Sequence, residues 1–132
     1  MPRTSFQTKE TCVGKILVVD DNESICRLIT DFFQDLKGHE VISTQSPEEA
    51  VELVRQHDPD LALLDIMMPG MHGVQVLRLL KQVKPTIKAI MITAVDDEDI
   101  AREATKEGVL DYVTKPLDLN YLDAQVTFNL AL

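Results

Sequence analysis

Five short apolar runs are spread along this chain, and each has the length of a single β-strand. Amphipathic stretches with a helical period separate them. Strands that alternate with helices of this length predict a parallel sheet with helices on both faces. We therefore predict one doubly wound α/β domain, with strands at residues 15–20, 40–44, 60–65, 87–93 and 110–114.

The helices between these strands have recognisable start signals and apolar faces. Ser46, Pro47 and Glu49 predict an N-cap, a first-turn proline and a capping-box glutamate for the second helix, and the fourth is expected at roughly 96–107. The residues expected to face inward, in chain order, are Ile25, Leu28, Ile29, Phe32, Leu36, Ala50, Val51, Leu53, Val54, Val74, Leu77, Leu80, Ile100, Ala101, Ala104, Leu119, Leu122 and Val126.

Length and charge exclude several classes of protein. The chain has 132 residues, which suits one domain, and 45% hydrophobic with 27% charged residues is the balance of a soluble globular protein. Its net charge of −9 argues against direct binding of nucleic acid, which requires a basic surface. No apolar run approaches the ~20 residues of a membrane span, and the N-terminus lacks a secretory region. We expect a cytoplasmic protein.

The two ends of the chain differ in pattern. Residues 1–13 are polar and unpatterned, so we predict a flexible leader there and a domain over 14–132. Cys12 and Cys26 lack the spacing of a metal site, and we interpret them as reduced thiols. The last helix keeps its apolar pattern up to Leu132 without a glycine or basic stop. Either the chain is cut from a longer protein, or its last turn packs against another surface.

Four of the predicted strands lead into residues that can take part in chemistry. Asp20 and Asp21 follow the first strand, Asp65 ends the third, Thr93 ends the fourth and Lys115 follows the fifth. The carboxyl ends of parallel strands meet at one edge of a sheet, where open α/β folds bind their ligands. Three acids, a hydroxyl and a lysine are therefore expected in one pocket.

This combination of residues indicates phosphoryl chemistry. Asp20, Asp21 and Asp65 would form an all-oxygen site, which suits Mg²⁺ better than zinc or copper. One carboxylate can then act as a nucleophile toward phosphorus, which would give a β-aspartyl phosphate. Lys115 would pair with Asp65 and later with a phosphoryl oxygen, and Thr93 would donate its hydroxyl to the same group.

Each of these residues also has a simpler interpretation. Asp20 and Asp21 would serve as caps for a helix starting at Asn22. Lys115 would be a solvated surface charge, and Thr93 an ordinary β-branched strand residue. Taken singly, the simpler interpretation is the better one for either aspartate. Independent caps and surface charges do not explain why these groups occur together at four strand ends, so we favour the pocket.

Four motifs resemble those of a known family: Ile16-Leu17-Val18-Val19-Asp20-Asp21, Leu63-Leu64-Asp65-Ile66-Met67-Met68-Pro69-Gly70-Met71-His72-Gly73, Ile92-Thr93-Ala94 and Asp111-Tyr112-Val113-Thr114-Lys115-Pro116. As a set they are similar to the receiver domain of bacterial two-component response regulators, and the resemblance covers about residues 14–130. One departure is His72, where the family usually has an acidic residue in this loop.

The resemblance implies a fold, a cofactor and residue roles. The fold would be flavodoxin-like, with a five-stranded parallel sheet of order 2-1-3-4-5, and the cofactor would be Mg²⁺. The implied roles are phosphoacceptor for Asp65, direct metal ligand for Asp21, metal ligand through water for Asp20, metal ligand through the backbone carbonyl for Met67, phosphoryl binding for Thr93 and Lys115, and the switching aromatic for Tyr112.

It also implies partners. A sensor histidine kinase or phosphotransfer protein would donate the phosphoryl group, and the surface of the fourth helix, fifth strand and fifth helix would change in response. An output domain would lie beyond Leu132 or on a partner protein, and a phosphorylation-dependent homodimer is a further implied assembly. The domain would assist only its own phosphorylation and dephosphorylation, without being an enzyme for another substrate.

Two alternative functions stay open on the sequence. A phosphatase of the haloacid dehalogenase type also uses a strand-end aspartate and Mg²⁺, but it needs a general acid two residues later, where this chain has Met67. A receiver-like scaffold that works without phosphorylation is the other alternative. All the positions of the predicted pocket are intact, so the sequence does not require it.

Overall fold

Five parallel strands form the central sheet of the computed structural model, which describes residues 13–65, 67–68, 71–93 and 98–131, without the side chains of 67–68, 71–72 and 98–101. The strands are β1 (Lys15–Val19), β2 (Glu40–Thr44), β3 (Leu61–Asp65), β4 (Lys88–Thr93) and β5 (Asp111–Thr114). They pair in the order β2-β1-β3-β4-β5. The predicted 2-1-3-4-5 topology is confirmed, and every strand limit lies within one residue of its prediction.

Helices connect the strands. They are α1 (Glu23–Thr30), which continues as a π-helix over Asp31–Leu36, α2 (Pro47–His57), α3 (Gly73–Val83), α4 (Glu98–Lys106) and α5 (Leu119–Ala131). Between β3 and α3, Met67–Met68 and Met71–His72 pair as a short antiparallel hairpin. Residues 1–12 of the leader predicted at 1–13, the predicted helical residues 96–97 and Leu132 lie outside the described residues. In the part that is described, no helix has the length and apolar character needed to span a membrane.

Both faces of the sheet are covered. Strand residues alternate between two apolar clusters, so that Leu17 and Leu64 lie in one cluster, whereas Val18 and Leu63 lie in the other. Residues of α2, α3 and α4 complete the first cluster, and residues of α1 and α5 complete the second. Burial on both faces explains why these strands are apolar at consecutive positions.

The predicted helix faces agree with the structure except in the first helix. Leu28 and Leu36 are 43% and 74% exposed, while Phe33, which was not predicted, is fully buried. Leu28 lies about 100° around the helix from buried Ile29, and the wider π-helical turns move Leu36 off the buried face. Of the other predicted positions, Ala50, Val54, Val74, Leu77, Leu80, Ala104, Leu122 and Val126 are buried, Val51, Leu53 and Leu119 are half-buried, and the side chains of Ile100 and Ala101 lie outside the described part.

The start of α2 agrees with its prediction in part. The Ser46 side chain accepts the Glu49 N–H at 3.2 Å, and Pro47 occupies the first helical turn. The capping-box role of Glu49 is wrong, because its carboxylate accepts the Thr44 hydroxyl instead of the Ser46 N–H. That N–H donates to the Thr44 hydroxyl oxygen at 3.0 Å. Thr44 therefore joins the end of β2 to the start of α2.

His39 connects the amino ends of β1 and β2. Its Nδ1 accepts the Gly14 N–H at 3.0 Å, and the Glu40 N–H donates to the Gly14 carbonyl at 3.0 Å. The ring is 6% exposed and packs at 5.8 Å from the Phe33 ring. Burial lowers the pKa of His39, and the charge of Asp123 opposes this shift. The ring is consequently neutral when it accepts this hydrogen bond.

Acid should destabilise the fold through His39. A folded-state pKa below the unfolded value means that the stabilisation is complete above about pH 6.5 and is lost as the pH falls through the folded value. Between about pH 7.5 and about pH 5, the wild type should therefore lose more free energy of unfolding than His39→Asn, whose amide oxygen accepts without titrating. Urea unfolding at each pH measures both losses. Equal losses would contradict the prediction.

Candidate functional site

Three carboxylates meet at the carboxyl edge of the sheet. Asp20 and Asp21 directly follow β1, and Asp65 is the last residue of β3. These strands are neighbours, and their register pairs Val19 with Leu64, which brings Asp20 level with Asp65. One oxygen from each of the three carboxylates lies within 4.8 Å of the others. Asp20 and Asp65 are buried, at 2% and 5% exposure, whereas Asp21 is exposed.

Several hydrogen bonds hold Asp20 in place. Its N–H donates to the Thr44 carbonyl at 3.2 Å, and its Oδ1 accepts the Asn22 N–H at 2.9 Å. The thiol of Cys26 donates to the Asp20 carbonyl at 3.3 Å. Burial, followed by the charge of Asp20, raises the pKa of Cys26 to about 11, so this thiol stays protonated at neutral pH. Cys26 is a reduced thiol in α1, as predicted, but its contact with Asp20 was not anticipated.

Asn22 is the cap of α1. Its Oδ1 accepts the N–H groups of Ser24 and Ile25, at 2.9 and 3.2 Å. The interpretation of Asp20 and Asp21 as the caps is therefore wrong. Asparagine ranks among the best N-cap residues, so the sequence contained the signal, but the two acids that precede Asn22 are equally good candidates by type.

Lys115 brings a positive charge to the carboxylates. Its N–H donates to the Thr93 carbonyl at 2.6 Å, which joins the end of β5 to the end of β4. Its Nζ lies 3.4 Å from Oδ2 of Asp20 and 3.7 Å from Oδ2 of Asp65. The following peptide bond, to Pro116, is cis. Only 21% of the lysine side chain is exposed, so Lys115 is not a solvated surface charge.

The other predicted site residues lie at or beside this edge. Thr93 is the last residue of β4, is fully buried, and pairs in register with Thr114. Tyr112 is half-buried and packs against the apolar cluster on the α2–α3 side. Met67 begins the short hairpin, and its side chain lies outside the described part. The carbonyl-ligand role of Met67 and the switch roles of Thr93 and Tyr112 stay predictions.

The donor atoms suit a hard divalent cation. Asp20, Asp21 and Asp65 offer oxygen ligands only, which is the preference of Mg²⁺. The formal charges of the three carboxylates and the one ammonium group of Lys115 sum to −2, which one divalent ion would balance. Mg²⁺ commonly takes one or two protein carboxylates and fills its other positions with water or phosphate oxygens. The three carboxylates could therefore hold one such ion.

Comparison with known proteins identifies the family. A model described as the response regulator receiver domain matches residues 16–127. This chain belongs to that family. It is thus a receiver domain, the phosphorylation-activated signalling module of response regulators. The comparisons do not favour the haloacid dehalogenase or scaffold alternatives, and the exact domain limits of 14–132 stay a prediction.

Curated relatives and solved structures agree on this assignment. Sporulation initiation phosphotransferase F of Bacillus subtilis is 33% identical over 106 residues, which cover 80% of this chain and 85% of that protein. The transcriptional regulatory protein PhoP of alkaline phosphatase synthesis, also from Bacillus subtilis, is 38% identical over 85% of this chain. A CheY-like receiver domain protein of Methanospirillum hungatei has a TM-score of 0.85 at 25% identity, covering 90% of this chain and 94% of that one.

Some of these relatives are much longer than the receiver. The matched region spans 46% of PhoP and 30% of a cyclic di-GMP phosphodiesterase of Thermotoga maritima, which is 34% identical over 112 residues. Those longer proteins therefore contain regions outside the match, and their names describe the whole proteins.

Mg²⁺ should stabilise the receiver through Asp21. A ligand of the folded state at ten times its dissociation constant adds about 1.4 kcal/mol, which raises the melting temperature of a domain of this size by about 4 °C. Asp21→Asn should melt above the wild type without Mg²⁺, because one of three repelling charges is gone, and should lose most of the Mg²⁺ response.

Scanning calorimetry with and without Mg²⁺ measures these shifts. The matched control is Asp35→Asn, which removes an exposed acid on the π-helical segment and should keep the full response. A Mg²⁺ shift in Asp21→Asn as large as in the wild type would mean that the ion binds elsewhere.

Proposed function

We propose that Asp65 is the phosphoacceptor of this receiver and that a sensor histidine kinase or a phosphotransfer protein is the donor. The position of Lys115 carries the proposal, since its Nζ lies 3.7 Å from Asp65 Oδ2 at the end of a central strand. Asp20 also contacts Lys115, but its other oxygen accepts the Asn22 N–H. Asp21 is exposed and would be a weaker candidate.

The transfer needs an oxygen nucleophile and compensation of charge. A carboxylate oxygen of Asp65 would attack phosphorus and form a P–O bond, while the P–N bond of the donor phosphohistidine breaks and its electron pair leaves with the imidazole. Lys115 would remain protonated and compensate the charge on the transferred oxygens. The burial of Asp65 strengthens this interaction, because the effective dielectric constant is lower than in water.

The three carboxylates and the backbone carbonyl of Met67 would hold Mg²⁺, with Asp21 as a direct ligand and Asp20 acting through water. The ion would supply electrostatic stabilisation of the phosphoryl oxygens. Asp20 is well prepared for this role, because the N–H of Asn22 and the thiol of Cys26 fix its side chain and its backbone.

Thr93 and Lys115 would detect the phosphoryl group on Asp65. Because a 2.6 Å hydrogen bond joins their backbones, a displacement of one residue would also displace the other. We expect the Thr93 hydroxyl to donate to a phosphoryl oxygen and Tyr112, on the neighbouring strand, to change rotamer. The response is a shift between two conformations and needs no refolding.

The fourth helix can take part in this shift at small cost. Arg78 of α3 pairs with Glu103 and Glu107 at the carboxyl end of α4, at 3.6 and 3.0 Å. These side chains are between 29% and 51% exposed, and exposed pairs stabilise by about 0–1 kcal/mol each. The surface of α4, β5 and α5 would therefore be the output surface.

The output itself would lie outside the receiver. A fused domain beyond Leu132 is supported by the longer relatives, of which the match covers less than half, and a separate partner protein is the alternative. We expect the receiver to act in the cytoplasm and to catalyse only its own phosphorylation and dephosphorylation. Its net charge of −9 argues against direct contact with nucleic acid.

Phosphoramidate and Mg²⁺ should add one phosphoryl group to the wild type and none to Asp65→Asn, because an amide lacks the nucleophilic oxygen anion. Mass spectrometry of the intact protein measures the addition. Asp35→Asn serves as the control and should be phosphorylated like the wild type. A phosphoryl group on Asp65→Asn would overturn the assignment.

The switch should depend on the hydroxyl of Thr93. In ¹H–¹⁵N NMR spectra, phosphorylation of the wild type should shift the signals of Tyr112 and of α4. Thr93→Ala should still accept the phosphoryl group but show smaller shifts there, whereas Thr93→Ser keeps the hydroxyl and should respond like the wild type. If Thr93→Ala shifts Tyr112 as far as the wild type does, the threonine has no role in transmission.

A further inference from the structure

A groove of about 750 Å³ lies between the second and third helices. It is named the α2–α3 groove here. The residues that decide its character are Val51, Arg55 and Asp58 on the α2 wall, and Leu79, Val83 and Lys84 on the α3 wall. Val51, Leu79 and Val83 are only half-buried. The groove therefore leaves three apolar side chains partly in contact with water.

The third helix differs from the other helices in charge. Gly73–Val83 contains no acidic residue, whereas each of the other four helices contains at least one. The segment without acids extends over residues 66–95 and includes four basic residues, Arg78, Lys81, Lys84 and Lys88. All 22 acidic residues of the chain lie outside this segment, and the net charge is −9. On an acidic protein, α3 thus presents no negative side chain to a partner.

Two cations lie at the groove. Arg55 is 58% exposed and pairs with Glu52 of the same helix at 3.0 Å. Lys84 directly follows α3, and its Nζ donates to the Pro59 carbonyl at 2.6 Å and pairs with Asp58 at 2.9 Å. The acidic members of the two pairs are 55% and 81% exposed. Exposed pairs contribute little to stability, so a partner's carboxylate can replace Glu52 or Asp58 at small cost.

We propose that the α2–α3 groove binds an acidic amphipathic helix of a partner protein. The apolar residues of that helix would cover Val51, Leu79 and Val83, and its carboxylates would pair with Arg55 and Lys84. Recognition of a helix in a groove uses apolar anchors at intervals of three or four residues. Both α2 and α3 have 11 residues and span about 16 Å, so a partner helix of about three turns is long enough.

Charge decides between an acidic and a basic partner. A basic helix would be attracted to the acidic surface outside residues 66–95 and would gain nothing at α3. An acidic helix is repelled by most of the protein and finds compensating cations beside the apolar side chains of the groove. None of the groove residues belongs to the carboxylate pocket, so the proposal does not depend on Asp65 being the phosphoacceptor.

An NMR titration of the methyl signals of the whole chain tests the proposal. The probe is a synthetic helical peptide of about four turns, with leucine at intervals of three and four residues and with glutamate and alanine elsewhere. The methyl signals of Val51, Leu79 and Val83 should shift and saturate below millimolar peptide. The same peptide with lysine in place of glutamate should leave these signals unchanged. No saturable shift with the glutamate peptide, or equal shifts with both peptides, would overturn the proposal.

Charge reversal in the groove should weaken this binding. Arg55→Glu should raise the dissociation constant of the glutamate peptide at least about fivefold, because like charges then face each other. The matched control is Arg27→Glu, which also removes an exposed arginine that pairs with a glutamate of its own helix, in α1. The control should bind the peptide like the wild type. Equal weakening by both variants would mean that net charge controls binding, and the groove would then have no role.

The same signals identify other occupants. Vesicles that contain phosphatidylserine would shift them without any peptide if the groove contacted an anionic membrane. A higher protein concentration would shift them if a second copy of the chain occupied the groove. We expect neither shift, because the net charge of −9 repels both. Either shift would overturn the assignment of the groove to a partner helix.

Discussion

Two unit charges about 5 Å apart repel by about 3 kcal/mol at an effective dielectric constant near 20, and a whole domain is stable by only roughly 5–15 kcal/mol. One oxygen from each of the Asp20, Asp21 and Asp65 carboxylates lies within 4.8 Å of the others. Their mutual repulsion therefore lowers the stability of the fold substantially. They stay together because β1 and β3 fix the backbones of two of them through a continuous parallel ladder. Lys115 compensates part of the charge, and one divalent cation would balance the remainder.

Strand pairing also fixes the position of Lys115, on the other side of the sheet. Lys115 reaches Asp65 because β4 and β5 pair Thr93 with Thr114, and the next N–H donates to the Thr93 carbonyl. A shift of β5 by one residue would turn its side chains to the opposite face. Val113 is buried in the apolar cluster that α1 and α5 complete, so such a shift would also remove it from the core. The apolar core and the charged pocket therefore require one and the same register.

This mutual dependence explains how much the sequence could predict. Consecutive apolar residues located all five strands, and parallel pairing then brought Asp20, Asp65, Thr93 and Lys115 to one edge without any knowledge of distances. Periodicity failed for Leu36, because a fixed 3.6-residue period does not detect a π-helical segment.

Residue type alone did not predict the cap of α1 or the partner of Glu49. Asp20, Asp21 and Asn22 are all good N-caps, and only the chain direction after β1 decides that Asn22 takes that role. Glu49 likewise had two possible acceptor roles, toward Ser46 or toward Thr44, and the end of β2 determined the outcome. The supporting contact of Cys26 depends on where α1 crosses the sheet, and one residue in a sequence does not carry that information.

The fifth helix connects the carboxylate pocket to the amino end of β4. It begins only a few residues after Lys115, and Lys88 of β4 donates to the carbonyl of Asn129 in its last turn at 2.7 Å. A displacement of Lys115 on phosphorylation would thus act on a helix held at its other end by β4.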